Sequence, residues 1–315
     1  MKILIFKTDK IGDLINISSL VKNLKDHGYN IDIICSEYNS RIAKFYDFFD
    51  KIYLKYSLIS FFKKNHDIFN KEYDFVLQLD GSKWSFFTGL FIRAKNKYSL
   101  QYIKTKFILG FKYKTFRPSF LYNSFYKYIE CNENYNIQEN KKFHYLSLYY
   151  EILKYENLKF FNKKHYFPSS KVYKNKNIKL FDSYILVHLD EKWKSYNNNY
   201  YNKFKNKILE LSKKNHIIVT SNNENLYLND FKNKNNIITV YDTKIEDLIY
   251  IAYNCRILIS FHAGFLVHLC ACFEKKIIDI MPKIKFNEID RWIPFETKYE
   301  RHDIDLLNNL QIDFI

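Results

Sequence analysis

At 315 residues, with 47% hydrophobic and 27% charged residues, the chain is long enough for two domains and too apolar to be disordered. Six glycines and four prolines exclude collagen-like and linker-rich classes; five cysteines, with only Cys270 and Cys272 close together, match neither a disulfide framework nor a paired zinc motif. The formal net charge of +16 suits nucleic acid, anionic lipid headgroups or a phosphorylated small molecule and equally a merely solvated basic surface, and the lysines lie in scattered pairs with no block that reads as a nucleic-acid tail.

Along the chain, short apolar runs alternate with helical periodicity, the signature of βαβ units and a parallel sheet. The run 3–6 predicts a first strand, followed by a helix whose Leu14, Ile17, Leu20, Val21 and Leu24 fall three or four apart. Gly28 is positioned to cap that helix. Strands are predicted at 31–35, 52–54 and 75–79, the last stopping at Asp80-Gly81, with helices over 41–48 and 58–70. The stretch 95–165 mixes short apolar bursts with an aromatic-rich, helix-like segment over 143–153.

Pro168-Ser169-Ser170 and the polar run 174–177 then interrupt the pattern as a linker would. The alternation restarts with strands predicted at 184–188, 216–220, 237–240, 256–260 and 276–280, and helices over 200–214, 244–253 and 264–273. The expected fold class is therefore α/β, two Rossmann-like parallel-sheet domains over 1–168 and 180–315, facing a cleft. MKILIFKTDKIGD runs straight into a strand with no signal-peptide pattern, and no apolar stretch is long enough to cross a bilayer. The expectation is a cytoplasmic protein, peripheral on the inner face of the cytoplasmic membrane, with anionic lipid as one partner and no nucleic acid.

In open parallel sheets, ligands bind beyond the carboxyl ends of the strands, where helix N-termini present free N–H groups. That rule selects Thr8 to Asp13 in the first half, and His188 to Lys194, Ser221 to Glu224, Asp242 to Lys244, and His262 to His268 in the second. These segments also carry a resemblance. Lys7-Thr8-Asp9-Lys10-Ile11-Gly12-Asp13-Leu14, the strand and loop from Ile185 to Lys192-Trp193, and the run from Ile257 through Gly264 to His268 resemble, in order, motifs of glycosyltransferase family 9, the ADP-heptose–lipopolysaccharide heptosyltransferases.

The resemblance implies the GT-B fold and an inverting, metal-independent transfer of a sugar, heptose in the family, from a nucleotide-diphosphate donor to a lipopolysaccharide, lipooligosaccharide or other surface glycolipid. No cofactor beyond the nucleotide-sugar co-substrate is expected. Asp13 takes the role of base, against the competing role of an acidic residue capping a helix. Lys192 matches the family's phosphate-neutralising lysine. Gly264, with Ala263, aims helix N–H groups at the diphosphate, flanked by His262 and His268, each equally readable as a packed histidine. Ser221 and Glu224 are placed near the nucleoside, and Thr8, Lys10 and Gly12 form a substrate loop, Gly12 in a tight turn. His262 stands where the family has Asp, which motivates an alternative: a catalytically inactive nucleotide- or phosphosugar-binding protein of the same fold. An RNA-binding reading rests on charge and aromatics alone and lacks a recognition motif.

Overall fold

The structure, a computed structural model, describes all residues except 109–110, 116–125, 133–153, 155–156, 160–162, 176–177, 190–197, 222–225, 262–263, 311 and 313–315. The chain divides into two compact units, Met1–Lys163 and Lys164–Ile315, so residues 164–168 pack with the second. The aromatic-rich segment 143–153 lies outside the described residues.

In the first unit, β1 (Lys2–Lys7) leads through α1 (Ile11–Asn16) and α2 (Ser18–Asp26) to β2 (Asn30–Cys35). Gly28, at φ 82°, adopts the left-handed conformation that lets the chain leave α2. Then come α3 (Glu37–Ala43), β3 (Phe49–Leu54), α4 (Leu58–Lys64), α5 (His66–Asn70), β4 (Glu72–Gln78) and α6 (Lys83–Leu90). The long strand β5 (Arg93–Ile108), β6 (Phe111–Thr115) and β7 (Lys127–Asn132) complete it. The strands run in the order β3-β2-β1-β4-β5, with β7 parallel to β5 and β6 forming an antiparallel hairpin on its far end. The first three positions reverse the chain order, which puts β1 beside β4 at the doubly wound crossover.

Three departures from the periodicity have local causes. The helix predicted over 41–48 instead starts at Glu37, because Ser36 accepts the Asn39 amide at 3.2 Å and nucleates the turn. The helix predicted over 58–70 breaks at Asn65, whose φ of −126° and ψ of 37° are not helical. β5 draws its polar, lysine-rich sequence into a strand because two partners flank it; Tyr98 and Ser99 are fully buried.

The second unit repeats the plan: β8 (Ile185–Leu189), α7 (Asn198–Leu211), β9 (Ile217–Ser221), α8 (Leu226–Asn229), β10 (Ile237–Tyr241), α9 (Ile245–Asn254), β11 (Ile257–Ser260), α10 (Gly264–Cys272), β12 (Lys276–Met281), α11 (Phe286–Ile289) and β13 (Tyr299–Asp303). The sheet order is β10-β9-β8-β11-β12-β13, parallel throughout. On one face Val187, Val219, Ile259 and Ile278 pack against Phe204 and Ile208 of α7. Cys35, Cys255 and Cys270 are buried, and burial pushes the Cys35 thiol up to about 12, where it is no nucleophile.

Candidate active site

The carboxyl ends of β1 and β4 carry a dense polar cluster. Lys7, only 2% exposed, closes β1 and donates its ammonium to Asp9 Oδ2 at 2.8 Å and to the Leu79 carbonyl at 3.0 Å. A buried ammonium persists only when paired, so this bond fixes where Asp9 sits. The next residue, Thr8, donates its amide (3.1 Å) and its hydroxyl (2.6 Å) to Asp80 Oδ2. Asp80 also accepts Ser85 Oγ at 2.5 Å, while its Oδ1 takes the Ser82 amide at 3.1 Å. Ser82 in turn caps α6 by accepting the Ser85 amide at 3.1 Å. Lys55 reaches in from the end of β3, donating to Thr8 Oγ1 at 3.2 Å while its ammonium lies 5.3 Å from the Trp84 ring centre. The loop 8–10 is thus strapped to β4 on one side and to α3 on the other, where Asn39 donates to the Lys7 carbonyl at 2.9 Å.

Asp13 follows in the first turn of α1, half-buried, and accepts the Lys10 amide through Oδ2 at 3.3 Å. The helix-capping role weighed from sequence is therefore present. That bond is long and engages one oxygen, and no ion pair among the described residues consumes the carboxylate. Gly12 sits inside α1 with helical backbone, so the tight turn expected there is absent; the left-handed glycine of this rim is Gly81, at φ 59°. Lys10 is exposed, and Thr8 is buried by its bond to Asp80.

Asp9 adds something that the spacing did not single out. Its Oδ1 is buried without a hydrogen-bond partner. Burial pushes its carboxyl up to about 6; Lys7 pulls it down, and the neighbouring charges of Asp13 and Asp80 raise it again. In the unfolded chain the same group titrates near ~4. The folded protein therefore holds a proton that the unfolded chain has lost, and Asp9's contribution to stability is complete below about pH 4 and disappears as pH rises through about 6. Asp9→Asn should remove this dependence: from about pH 4 to 7 the wild type loses on the order of 1–3 kcal/mol that the variant keeps. Parallel thermal melts across that range measure the difference, and identical pH profiles would refute the assignment.

In the second unit, parallel register aligns Thr220, His188, Ser260 and Asp279 across β9, β8, β11 and β12. All four are buried. His188 Nδ1 lies 2.9 Å from Thr220 Oγ1, and the Tyr299 hydroxyl donates to Asp279 Oδ2 at 2.8 Å. This row alternates with the apolar set that packs on α7, so it occupies the opposite face. Ser221 closes β9 one residue later, also buried.

Helix α10 begins at Gly264, where an added Cβ would meet no atom within 4 Å. His268, one turn further, is buried, and its Nδ1 lies 3.0 Å from His165 Nε2 with the two rings stacked at 5.0 Å. Of the two readings of His268, the packed histidine is the one whose partner is visible. Lys192, Glu224, His262 and Ala263 lie outside the described residues. Among the described residues no three His, Cys, Asp or Glu side chains gather as metal ligands would.

Among solved structures, the glycosyl transferase family 9 protein from Veillonella parvula matches 96% of this chain and 85% of its own, with a TM-score of 0.70 at 12% identity. E. coli heptosyltransferase WaaC with ADP matches 98% and 96%, with a TM-score of 0.69 at 14% identity. The fold is that of the GT-B glycosyltransferases. It is shared with the UDP-GlcNAc 2-epimerase from Methanocaldococcus jannaschii, which matches 96% and 89% with a TM-score of 0.55 at 11% identity. No protein-family model and no curated protein sequence matches this chain. Thr8, Asp9, Asp13 and Asp80 lie at or just beyond the carboxyl ends of β1 and β4 in the first unit, and His188, Ser221 and Gly264 at or just beyond those of β8, β9 and β11 in the second.

Sequence reasoning passed over Lys7, Lys55 and Asp80. Asp80 does carry a signal, an acid directly after the strand predicted at 75–79. Lys7 and Lys55 carry no such mark in a chain with 50 Lys and Arg residues.

Proposed function

We propose that the chain is an inverting, metal-independent glycosyltransferase that moves a sugar from a nucleotide-diphosphate donor to a hydroxyl of a surface glycolipid. The observation that carries this reading is the half-buried Asp13 at the mouth of a rigidly strapped loop, free of ion pairs among the described residues and flanked by the desolvated Asp9. In this mechanism Asp13 takes the proton from the acceptor hydroxyl as its oxygen bonds to the anomeric carbon. The bond from that carbon to the diphosphate oxygen breaks on the opposite side. Lys192 and the first N–H groups of α10 meet the charge that grows on the leaving diphosphate. Ser221 and Glu224 contact the nucleoside, and Thr8 and Lys10 line the acceptor side. Heptose is the first donor sugar to test, because the fold neighbours include heptosyltransferases.

The test is a panel of ADP-, GDP-, UDP- and CMP-sugars incubated with purified protein. The expected result is release of one nucleotide diphosphate, with the same nucleotide raising the melting temperature. Stabilisation with no turnover on any donor and acceptor would favour a binding protein. Isomerisation of the sugar while still attached to its nucleotide would favour epimerase chemistry on the same fold.

A further inference from the structure

Helices α4 and α6 of the first unit carry large apolar side chains on their solvent side. Ile59 is 72% exposed, Phe91 61%, Phe87 43% and Leu58 39%. Scattered exposed apolar residues are ordinary, but a contiguous group is not. Here the two helices are joined: the Phe62 ring of α4 meets that of Phe91, just beyond α6, at 5.3 Å between centres. Within α4, Ile59 and Phe62 are three apart, and Phe87 and Phe91 are four apart, so each pair shares a face.

The two helical segments carry cations only, and Asp67 of the neighbouring α5, whose Phe69 stacks on Phe62, is paired with Lys51 at 2.6 Å. Residues 55–64 contain Lys55, Lys63 and Lys64, and residues 81–93 contain Lys83 and Arg93, with no Asp or Glu in either stretch. Lys63, Lys64, Lys83 and Arg93 are exposed. An apolar ridge with exposed cations on the same two segments matches the layering of an anionic bilayer surface, acyl boundary beneath phosphate. It fits a second copy of the chain poorly, since pairing the ridge with itself would press these cations together. No helix among the described residues is long and apolar enough to cross a membrane, so the contact is a shallow one.

We infer that the α4–α6 face docks the protein on an anionic lipid bilayer. Both helices rise from the Asp13 rim: Ser82, held by Asp80, caps α6, and Lys55, bonded to Thr8, lies three residues before α4. Docking there would bring a lipid-borne hydroxyl to the loop that precedes Asp13. The inference deepens the glycolipid-acceptor reading, yet its test needs no turnover.

Full-length protein is sedimented with vesicles of phosphatidylcholine, or of phosphatidylcholine with phosphatidylglycerol, in the absence of donor. Binding is expected only to the anionic vesicles and should weaken as salt is raised. Ile59→Ser/Phe91→Ser should lower it at least about tenfold and Lys63→Ala/Lys83→Ala about 30-fold, with both variants still fully folded at the assay temperature. Unaltered binding by both folded variants, or no binding by the wild type, would overturn the inference. So would a dimer in solution that Ile59→Ser/Phe91→Ser dissolves. If the sugar panel is negative while vesicle binding behaves as stated, the transfer reading falls and the docking face stands.

Discussion

Asp13→Asn is expected to abolish sugar transfer while leaving the fold and nucleotide binding in place. Asn has nearly the same volume, and its side-chain oxygen can still accept the Lys10 amide that Asp13 Oδ2 holds at 3.3 Å. What disappears is the negative charge and the ability to take a proton. A positioned general base contributes about 10²–10⁴-fold, so transfer should fall by at least about 10²-fold. The lost charge near the start of α1 should cost no more than about 1 kcal/mol of stability, since the residue is part-exposed. Stabilisation by the nucleotide diphosphate depends on its affinity for the folded state and should match the wild type. Turnover within a few-fold of wild type would remove Asp13 from the mechanism and shift attention to Asp9, the carboxylate on the loop before α1.

The second large effect is expected at Asp80, which touches no substrate in the proposed mechanism. Its carboxylate accepts from Thr8 N, Thr8 Oγ1, Ser82 N and Ser85 Oγ. Asp80→Ala leaves these donors without their acceptor, and Ser85 is fully buried. Losing bonds to a charged acceptor at a part-exposed site should cost about 3 kcal/mol, a large share of the stability of an ordinary domain. The catalytic effect should exceed what unfolding explains, because Thr8 anchors the loop that leads into Asp13, and a displacement of about 1 Å can cost about 10²-fold in rate. The measurement is transfer at a temperature where the melt shows the variant fully folded. A variant that melts and turns over like the wild type would show that the bracket around Thr8 is dispensable.

What could be read from the chain by itself follows from short-range rules. Buried strands such as Ile3-Leu4-Ile5-Phe6 and Ile257-Leu258-Ile259 must be apolar on both faces, so they stand out as runs, and helices between them show three-to-four spacing. Those two signals place two doubly wound halves and, through the strand-end rule, the segments holding Thr8, Asp13, Ser221 and Gly264. The polar strand β5 escaped the same reading because its state is set by β4 and β7 on either side, not by its own pattern.

The chemical character of the rim was decided only by tertiary contact. Whether Asp9 titrates near 4 or is pushed to about 6 depends on burial and on Lys7, Asp13 and Asp80, one of them more than 70 residues away. Whether His268 meets solvent or another ring depends on His165, 103 residues earlier in the chain. Local spacing reports which residues share a helix face or a strand; desolvation and charge coupling act through space, and they arise only once distant segments have been packed together.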